Sequence, residues 1–404
     1  MSHADQTFPT QSQLLFPALT AIEEGAETAK EICDAVACAV DLPWDLRTQR
    51  GRAGKAGEIN LWDRHIRWVA QRAKLLGLAH RRDESWMLTE QGRSALRNIR
   101  PGAIVIVFET DNGLALWAEA AAGVASLENG LVQLILTSPP YPLLRRKDYA
   151  GQHSSQKHVE WLLSHIADWR RVLTPDGSIV LNLGDVWMPG MPCIDSYQER
   201  LVVRLCDTLG LHLCQKLYWH NPSKVPGPAE WVNIRRVRVT NAVENLWWFS
   251  PTANPKADNR HILRPYSAAM RGRLAAGGEK GAERPSGHRH AKGAFGRDNG
   301  GSIAHNLLTI PNTASNDDYQ RSCRLAGLPA HPARFPIALA EWLIRFLTDP
   351  GDLVLDPFAG SLTTCAAAES LNRRWIGIDK CLDYLEGGRG RRALASAQPA
   401  RAGA

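Results

Sequence analysis

Apolar residues recur at three- and four-residue spacing in two stretches near the N-terminus. AETAKEICDAVACAV (26–40) and NLWDRHIRWVAQRAKLLGL (60–78) predict amphipathic helices, the second with Arg and Lys set between its apolar positions. In AHRRDESWMLTEQG (79–92) a short polar turn separates two strand-like pieces, and SALRNI (94–99) predicts a short helix. From about residue 103 the texture changes. AIVIVF, LVQLIL and GSIVLNL are compact apolar runs, and HVEWLLSHIADWRRVL, between the last two, has a helical period. The same order returns near the C-terminus: a helix ALAEWLIRFL, a turn TDPGD, a strand LVLD, a Gly-containing loop, a helix and a strand RWIGID. Apolar strands alternating with helices predict an α/β class protein with a Rossmann-like, mostly parallel sheet covered by helices on both faces. No repeat with a period of about 20 to 50 residues is present, which excludes a solenoid or propeller.

These textures divide the chain into an N-terminal part, 1–100, a main domain, 101–390, and a tail, 391–404, expected to be disordered. Within the main domain, residues 261–300 hold eight Lys or Arg against three acids, with eight Gly and three His. Such a stretch buries little apolar surface, so roughly 251–300 is expected to be a flexible basic loop. The whole chain, 404 residues and 44% hydrophobic, is long enough for a full core, and its formal charge of +7 favours an acidic partner such as nucleic acid. The eight cysteines form no CxxC and none lies at zinc-ligand spacing from a His, so no metal site is expected. MSHADQTFPTQ lacks a signal-peptide pattern, and no run reaches the roughly 18 apolar residues of a membrane helix, so a cytoplasmic protein without a membrane partner is expected.

LVLDPFAGSLTTCAAAESLNRRWIGID (353–379) is a strand, a loop of small residues, a helix and a second strand ending in an acid. A loop of this kind lets backbone N–H groups and a helix N-terminus approach a ligand, while the terminal acid can bond two ribose hydroxyls. The loop has neither GxGxxG nor GK[ST], which argues against a dinucleotide or ATP. S-adenosylmethionine, an adenosine without phosphates, fits better.

DPFAGSLTT followed by WIGID resembles the cofactor motif of S-adenosylmethionine-dependent DNA amino-methyltransferases, and TSPPY (137–141) resembles their catalytic motif. TSPPY precedes DPFAGS, as in the β class of these enzymes, and HPARFPIALAEWLI from His331 resembles the segment before their cofactor strand. The resemblance implies cofactor contacts at Asp356, Phe358, Ala359, Gly360, Ser361, Thr363, Thr364 and Asp379. It places a target-recognition region at about 220–320. Leu362 stands where the family often has a second glycine, so its side chain has to point away from the cofactor, and Leu adopts positive φ poorly. Ser before PPY accompanies cytosine N4 in the family, and Asp or Asn accompanies adenine N6. The implied activity is N4 methylation of cytosine in double-stranded DNA, with a cognate restriction endonuclease as a candidate partner. An adenine-N6 enzyme of the same class and an inactive DNA-binding regulator stay open, as does monomer against dimer.

An exocyclic amine is conjugated with its ring and is a poor nucleophile, so the reaction needs acceptors for its N–H groups. The side-chain oxygen of Ser138 and the backbone carbonyl of Pro139 supply two, Pro139 and Pro140 fix φ without adding donors, and Tyr141 would stack on a base turned out of the duplex. The helix–helix–hairpin outline of the N-terminal part, with Gly77, Leu78, Trp86, Leu88, Thr89, Glu90 and Gly92, resembles the winged-helix domain of Mrr-type restriction proteins. That implies phosphate contacts from Arg64, Arg67, Arg72 and Lys74, with Arg81 and Arg82 in the wing. Arg235, Arg236 and Arg238 are further candidates for nucleic acid, with Arg236 and Arg238 on one face of an expected strand. Trp247, Trp248 and Phe249 read as core. NLGD (182–185) reads as a turn rather than pocket wall.

Overall fold

A computed structural model of the chain describes residues 8–9, 11–40, 42–52, 57–93, 104–142, 155–279, 281, 287, 289–313, 316–394 and 398–399. The N-terminal part contains α1 (Gln11–Glu23), α2 (Ala29–Ala39), α3 (Trp44–Thr48), a short pair β1 (Arg50–Arg52) and β2 (Glu58–Asn60), α4 (Leu61–Leu75), and a hairpin of β3 (Ala79–Arg82) and β4 (Ser85–Leu88). Local chemistry sets these boundaries. Thr28 and Glu31 form a reciprocal capping box on α2, and the Asn60 side chain accepts the Asp63 N–H to start α4. Trp62, Ile66, Val69 and Ala73 form the apolar stripe of α4 and are buried against α1 and α2. The helix expected at 94–99 lies outside the described residues.

The main domain follows with β5 (Val105–Glu109), β6 (Gly113–Trp117), α5 (Ala120–Ala125), β7 (Val132–Thr137), α6 (Ser155–Val172), β8 (Leu173–Leu183), α7 (Tyr197–Leu209), β9 (His212–His220), β10 (Val243–Ser250), α8 (Ala268–Ala275), β11 (Leu307–Thr309), α9 (Asp318–Ala326), α10 (Ile337–Leu347), β12 (Leu353–Asp356), α11 (Thr363–Ser370), β13 (Arg374–Asp379), α12 (Leu382–Arg389) and β14 (Gln398–Pro399). Among the described residues one sheet holds ten strands in the order β11-β9-β10-β8-β7-β12-β13-β6-β5-β14. Its centre, β8-β7-β12-β13-β6, is parallel, and the antiparallel pairs lie outside it. The Rossmann-like reading therefore holds, although β6, β9, β10, β11 and β14 lie outside the strands expected from the sequence; GLALW forms β6, which pairs antiparallel with β5 and parallel with β13.

Strand β7 is buried at every position, as expected of a central parallel strand covered on both faces. Ile135 joins a core with Val159, Leu162 and Trp169 of α6 and Leu201 and Leu205 of α7. Leu134 and Leu136 face the other core, with Leu339 and Leu343 of α10, Ala366 and Ala367 of α11 and Leu382 of α12. That second core is continuous with the N-terminal helices, and Phe16 of α1 stacks on Trp117 at 4.6 Å. Trp247, Trp248 and Phe249 are buried core residues, as read from the sequence.

Three expectations change. The segment after β10 is more regular than its composition implies: Lys256 pairs with Asp349 and Asp352 at 2.9 and 2.7 Å, Arg264 bridges to Ser302, and 268–275 is helical from a Ser267 cap. The tail begins as structure, because residues 392–394 form a 3₁₀ turn and Arg391 is buried. Arg72 is buried too, paired with Asp383 and, at 2.7 Å, with Glu386 of α12, so it is unavailable to phosphates. It lies three residues after Val69 and so falls on the inward stripe of α4.

Candidate active site

Strands β7 and β12 are neighbours, and their carboxyl ends open onto a cavity of about 1500 Å³. Ser138, Pro139, Pro140 and Tyr141 line it from one strand end, and Asp356, Phe358, Ala359, Gly360, Ser361 and Thr363 from the other, with Asp379 at the end of β13. Thr364, the remaining cofactor candidate, is fully buried beneath this wall.

The two motifs are pinned together through Asp356. Thr137 Oγ1 donates to its Oδ1 and Thr364 Oγ1 to its Oδ2, both at 2.7 Å, and the Phe358 N–H adds a third bond at 3.1 Å. Burial pushes this carboxyl up to about 6 against the opposing effect of those bonds. Asp379 accepts the Gly360 and Cys381 N–H groups, each at 2.8 Å, one on each oxygen; burial raises its pKa against those bonds. Gly360 has φ +46, and a Cβ there would lie 3.1 Å from the His331 ring, which in turn packs edge-on against Tyr384 at 4.6 Å. Glycine is thus favoured at this position both by its dihedral and by the close His331 ring, which would have to shift by a few tenths of an ångström to admit a Cβ. Burial lowers the His331 pKa to about 4, so its ring is neutral at physiological pH.

Leu362 adopts the left-handed conformation, φ +57, and is fully buried. Its side chain turns away from the cavity into a gap between Gly377 of β13 and Gly388 of α12, where an added Cβ on either glycine would come within 2.7 Å of it. Arg391 closes the loop from outside, with Nε donating to the Ser361 carbonyl at 2.6 Å and Nη2 to the Ser361 and Thr363 hydroxyls at 3.0 and 2.9 Å.

On the other side of the cavity, Ser138 Oγ donates to the Asn182 carbonyl at 3.2 Å and lies 3.1 Å from the Tyr141 hydroxyl. With its proton directed at Asn182 and Tyr141 donating to it, Ser138 keeps a lone pair for an incoming N–H. The Tyr141 ring rests against Gly184, where a Cβ would meet Cε2 at 2.9 Å. NLGD is therefore more than a turn: Asn182 lines the cavity and Gly184 seats the tyrosine, while Asp185 is held outside by Gln198 and Asn241. The Asn182 Oδ1 is buried with no hydrogen-bond partner among the described residues. Glu244, bonded to Lys224 at 2.8 Å, and the Trp161–His165 pair packed on Phe358 complete this wall. Sequence reasoning passed over these residues because their motif partners are distant in the chain.

A family model described as DNA methylase matches residues 132–388. The chain belongs to the DNA methylase family. It is similar to the type II methyltransferase M.PvuII of Proteus hauseri, 42% identical over 281 residues that span 69% of this chain and 83% of that protein. The type II methyltransferase M.BglII of Bacillus subtilis is 25% identical over 259 residues, 63% of this chain and 62% of that one. Among solved structures, the PvuII DNA methyltransferase described as cytosine-N4-specific superposes with a TM-score of 0.58 at 36% identity, covering 71% of this chain and 88% of that chain.

The remaining candidates lie outside the cavity of this methylase. Arg64, Arg67 and Lys74 are exposed on α4, as are Arg81 and Arg82 on the hairpin. Arg235, Arg236 and Arg238 are exposed but form no strand. A single π-helical turn, Glu230–Ile234, precedes them, Arg236 has φ +53, Arg235 lies over Trp231 at 5.0 Å, and Arg238 donates to the Pro192 carbonyl at 2.9 Å. The one-face expectation for Arg236 and Arg238 fails, because a left-handed residue reverses the alternation a strand would impose. No helix among the described residues is long and apolar enough to cross a membrane.

Proposed function

We propose that this methylase transfers a methyl group from S-adenosylmethionine to the exocyclic N4 amine of cytosine in duplex DNA. One observation carries the reading: the Ser138–Tyr141 strand end and the Asp356–Thr364 loop share a single cavity, locked in register by the Thr137–Asp356–Thr364 bonds. The residues suit the cofactor. Asp379 retains lone pairs for ribose hydroxyls, Gly360 leaves the loop backbone open, and Phe358 and Tyr384 offer apolar surface. When bound, S-adenosylmethionine supplies an electrophilic methyl sulfonium.

The chain's own part is positioning and electrostatics. A flipped cytosine would stack on Tyr141, and its N–H groups would meet the Ser138 oxygen and the Pro139 carbonyl, which favours a pyramidal amine. The proton leaves after transfer, when the amine is cationic, to Ser138 or water. Residues 1–100 form a winged-helix module that meets phosphates through Arg64, Arg67 and Lys74, and 220–320 reads the target sequence. A cognate restriction endonuclease fits this setting, as does a cytoplasmic location.

The test is mass spectrometry of nucleosides from plasmid DNA of a methylation-free host expressing the chain. N4-methylcytosine is expected, and N6-methyladenine instead would overturn the base assignment. Ser138→Ala should lower turnover by about a hundredfold or more with cofactor affinity nearly intact, and unchanged turnover would remove Ser138 from the reaction.

A further inference from the structure

The cavity has a wall that the family match does not account for. Phe8, Pro9 and Val40, all from the N-terminal part, line it together with Lys380, Cys381, Asp383 and Tyr384, whereas the family model starts at residue 132. Two sets of contacts hold that wall. The Pro9 carbonyl lies 2.9 Å from His65 Nε2 of α4, and Phe8 packs on the His65 and Trp62 rings, both centroid distances being 5.7 Å. Seven residues further along α4, Arg72 is buried in its pairs with Asp383 and Glu386 of α12. Helix α12 follows the Asp379 turn, carries Tyr384 into the cavity, and holds Gly388 against Leu362 of the cofactor loop.

We infer that the N-terminal module is a built part of the cofactor site: Phe8 and Pro9 form an apolar wall of the cavity, and Arg72 is a positioning residue that fixes α12 against it. This rests on the cofactor reading above and adds a component to it. A DNA-binding arm that merely tethered the enzyme would place no side chain in the cavity. Nor would it bury an arginine between two carboxylates of the catalytic domain, an arrangement whose disruption leaves unpaired charge beside the site.

Full-length protein is titrated calorimetrically with S-adenosylhomocysteine. Phe8→Ala removes one ring from the wall and is expected to weaken binding about tenfold, with thermal midpoint and circular dichroism near wild type. Arg72→Met is expected to weaken binding and lower the midpoint, and Arg72→Lys to recover part of both, because the charge returns without the planar fork. In turnover assays Phe8→Ala should raise KM for S-adenosylmethionine while kcat at saturation and KM for DNA stay within about twofold, a split that general destabilisation does not produce. If Arg72→Met does not fold, Phe8→Ala decides alone. Wild-type protein that fails to bind S-adenosylhomocysteine sinks the cofactor reading and the wall with it. Wild type that binds, with a folded Phe8→Ala that binds equally well, sinks the wall alone.

Discussion

Leu362→Gly puts two opposing energies against each other at one residue. The left-handed conformation at φ +57 costs a leucine about 1 to 2 kcal/mol, which glycine avoids, while glycine's freer unfolded chain gives back about 0.4 to 1 kcal/mol of that gain. Against the remainder stands the loss of a fully buried leucine side chain, about 3 to 5 kcal/mol when the surrounding cavity does not collapse. Packing therefore wins, and Leu362→Gly should destabilise by about 2 to 4 kcal/mol. Leu362→Ala keeps the dihedral cost and should fall lower still, by about 0.5 to 1 kcal/mol, the reverse of the usual order of Ala and Gly. Gly388→Ala supplies the control. Its new methyl would lie 2.7 Å from Leu362 Cδ1, so it should cost about 1 to 3 kcal/mol in the parent. In the Leu362→Gly background the methyl enters vacated space on α12 and should stabilise by about 1 kcal/mol through helix propensity. Urea midpoints followed by the fluorescence of the chain's 14 tryptophans measure the parent and the four variants. A Leu362→Gly protein more stable than the parent, or an Ala variant above the Gly variant, would refute the reasoning.

Asp379→Ala should weaken S-adenosylhomocysteine binding by at least about tenfold, since it removes the proposed ribose acceptor and frees the Gly360 N–H; an unaltered titration would mean that the ribose sits elsewhere. Neutralising Arg64, Arg67 and Lys74 together should reduce the slope of log affinity against log salt by up to about 3, and an identical slope would leave the module without phosphate contacts. Asp356 has a folded pKa near 6 against an ordinary 3.8, so its neutral form favours the fold. Its contribution is present below about 4 and lost as pH rises through about 6. The stability difference between wild type and Asp356→Asn should move in that sense across this window, and a flat difference would count against the raised pKa.

What was legible in the sequence was local. LVQLIL and LVLD announce buried parallel strands by composition alone, and TSPPY and DPFAGS each begin at the last residue of one of those strands. GLALW carries a local signal that the sequence reading leaves unused, because Asn112-Gly113 between two apolar runs marks the hairpin that joins β5 to β6. Arg72 and Arg391 were misread for a physical reason: each is a basic residue in a polar-looking stretch, and its partners come from far along the chain, 311 residues away for the Arg72–Asp383 pair. Phe8 sits before the first helix, where nothing nearby marks it as cavity wall.

The place where the motifs meet follows from the connections of two strands. Strand β7 leads through α6 to β8 on one side, and β12 leads through α11 to β13 on the other, so the chain departs in opposite directions from adjacent parallel strands. At such a switch point no crossover covers the carboxyl ends, and a crevice is left there. Neighbouring strands lie about 4.8 Å apart, which sets the separation of anything mounted on their ends. On the proposed function, a base held after β7 and a methyl donor held after β12 would thereby come within reach of a direct transfer, with the Thr137–Asp356 bond at 2.7 Å keeping the two ends from sliding. The strands would then supply proximity, leaving Ser138 and Pro139 only to orient one amine.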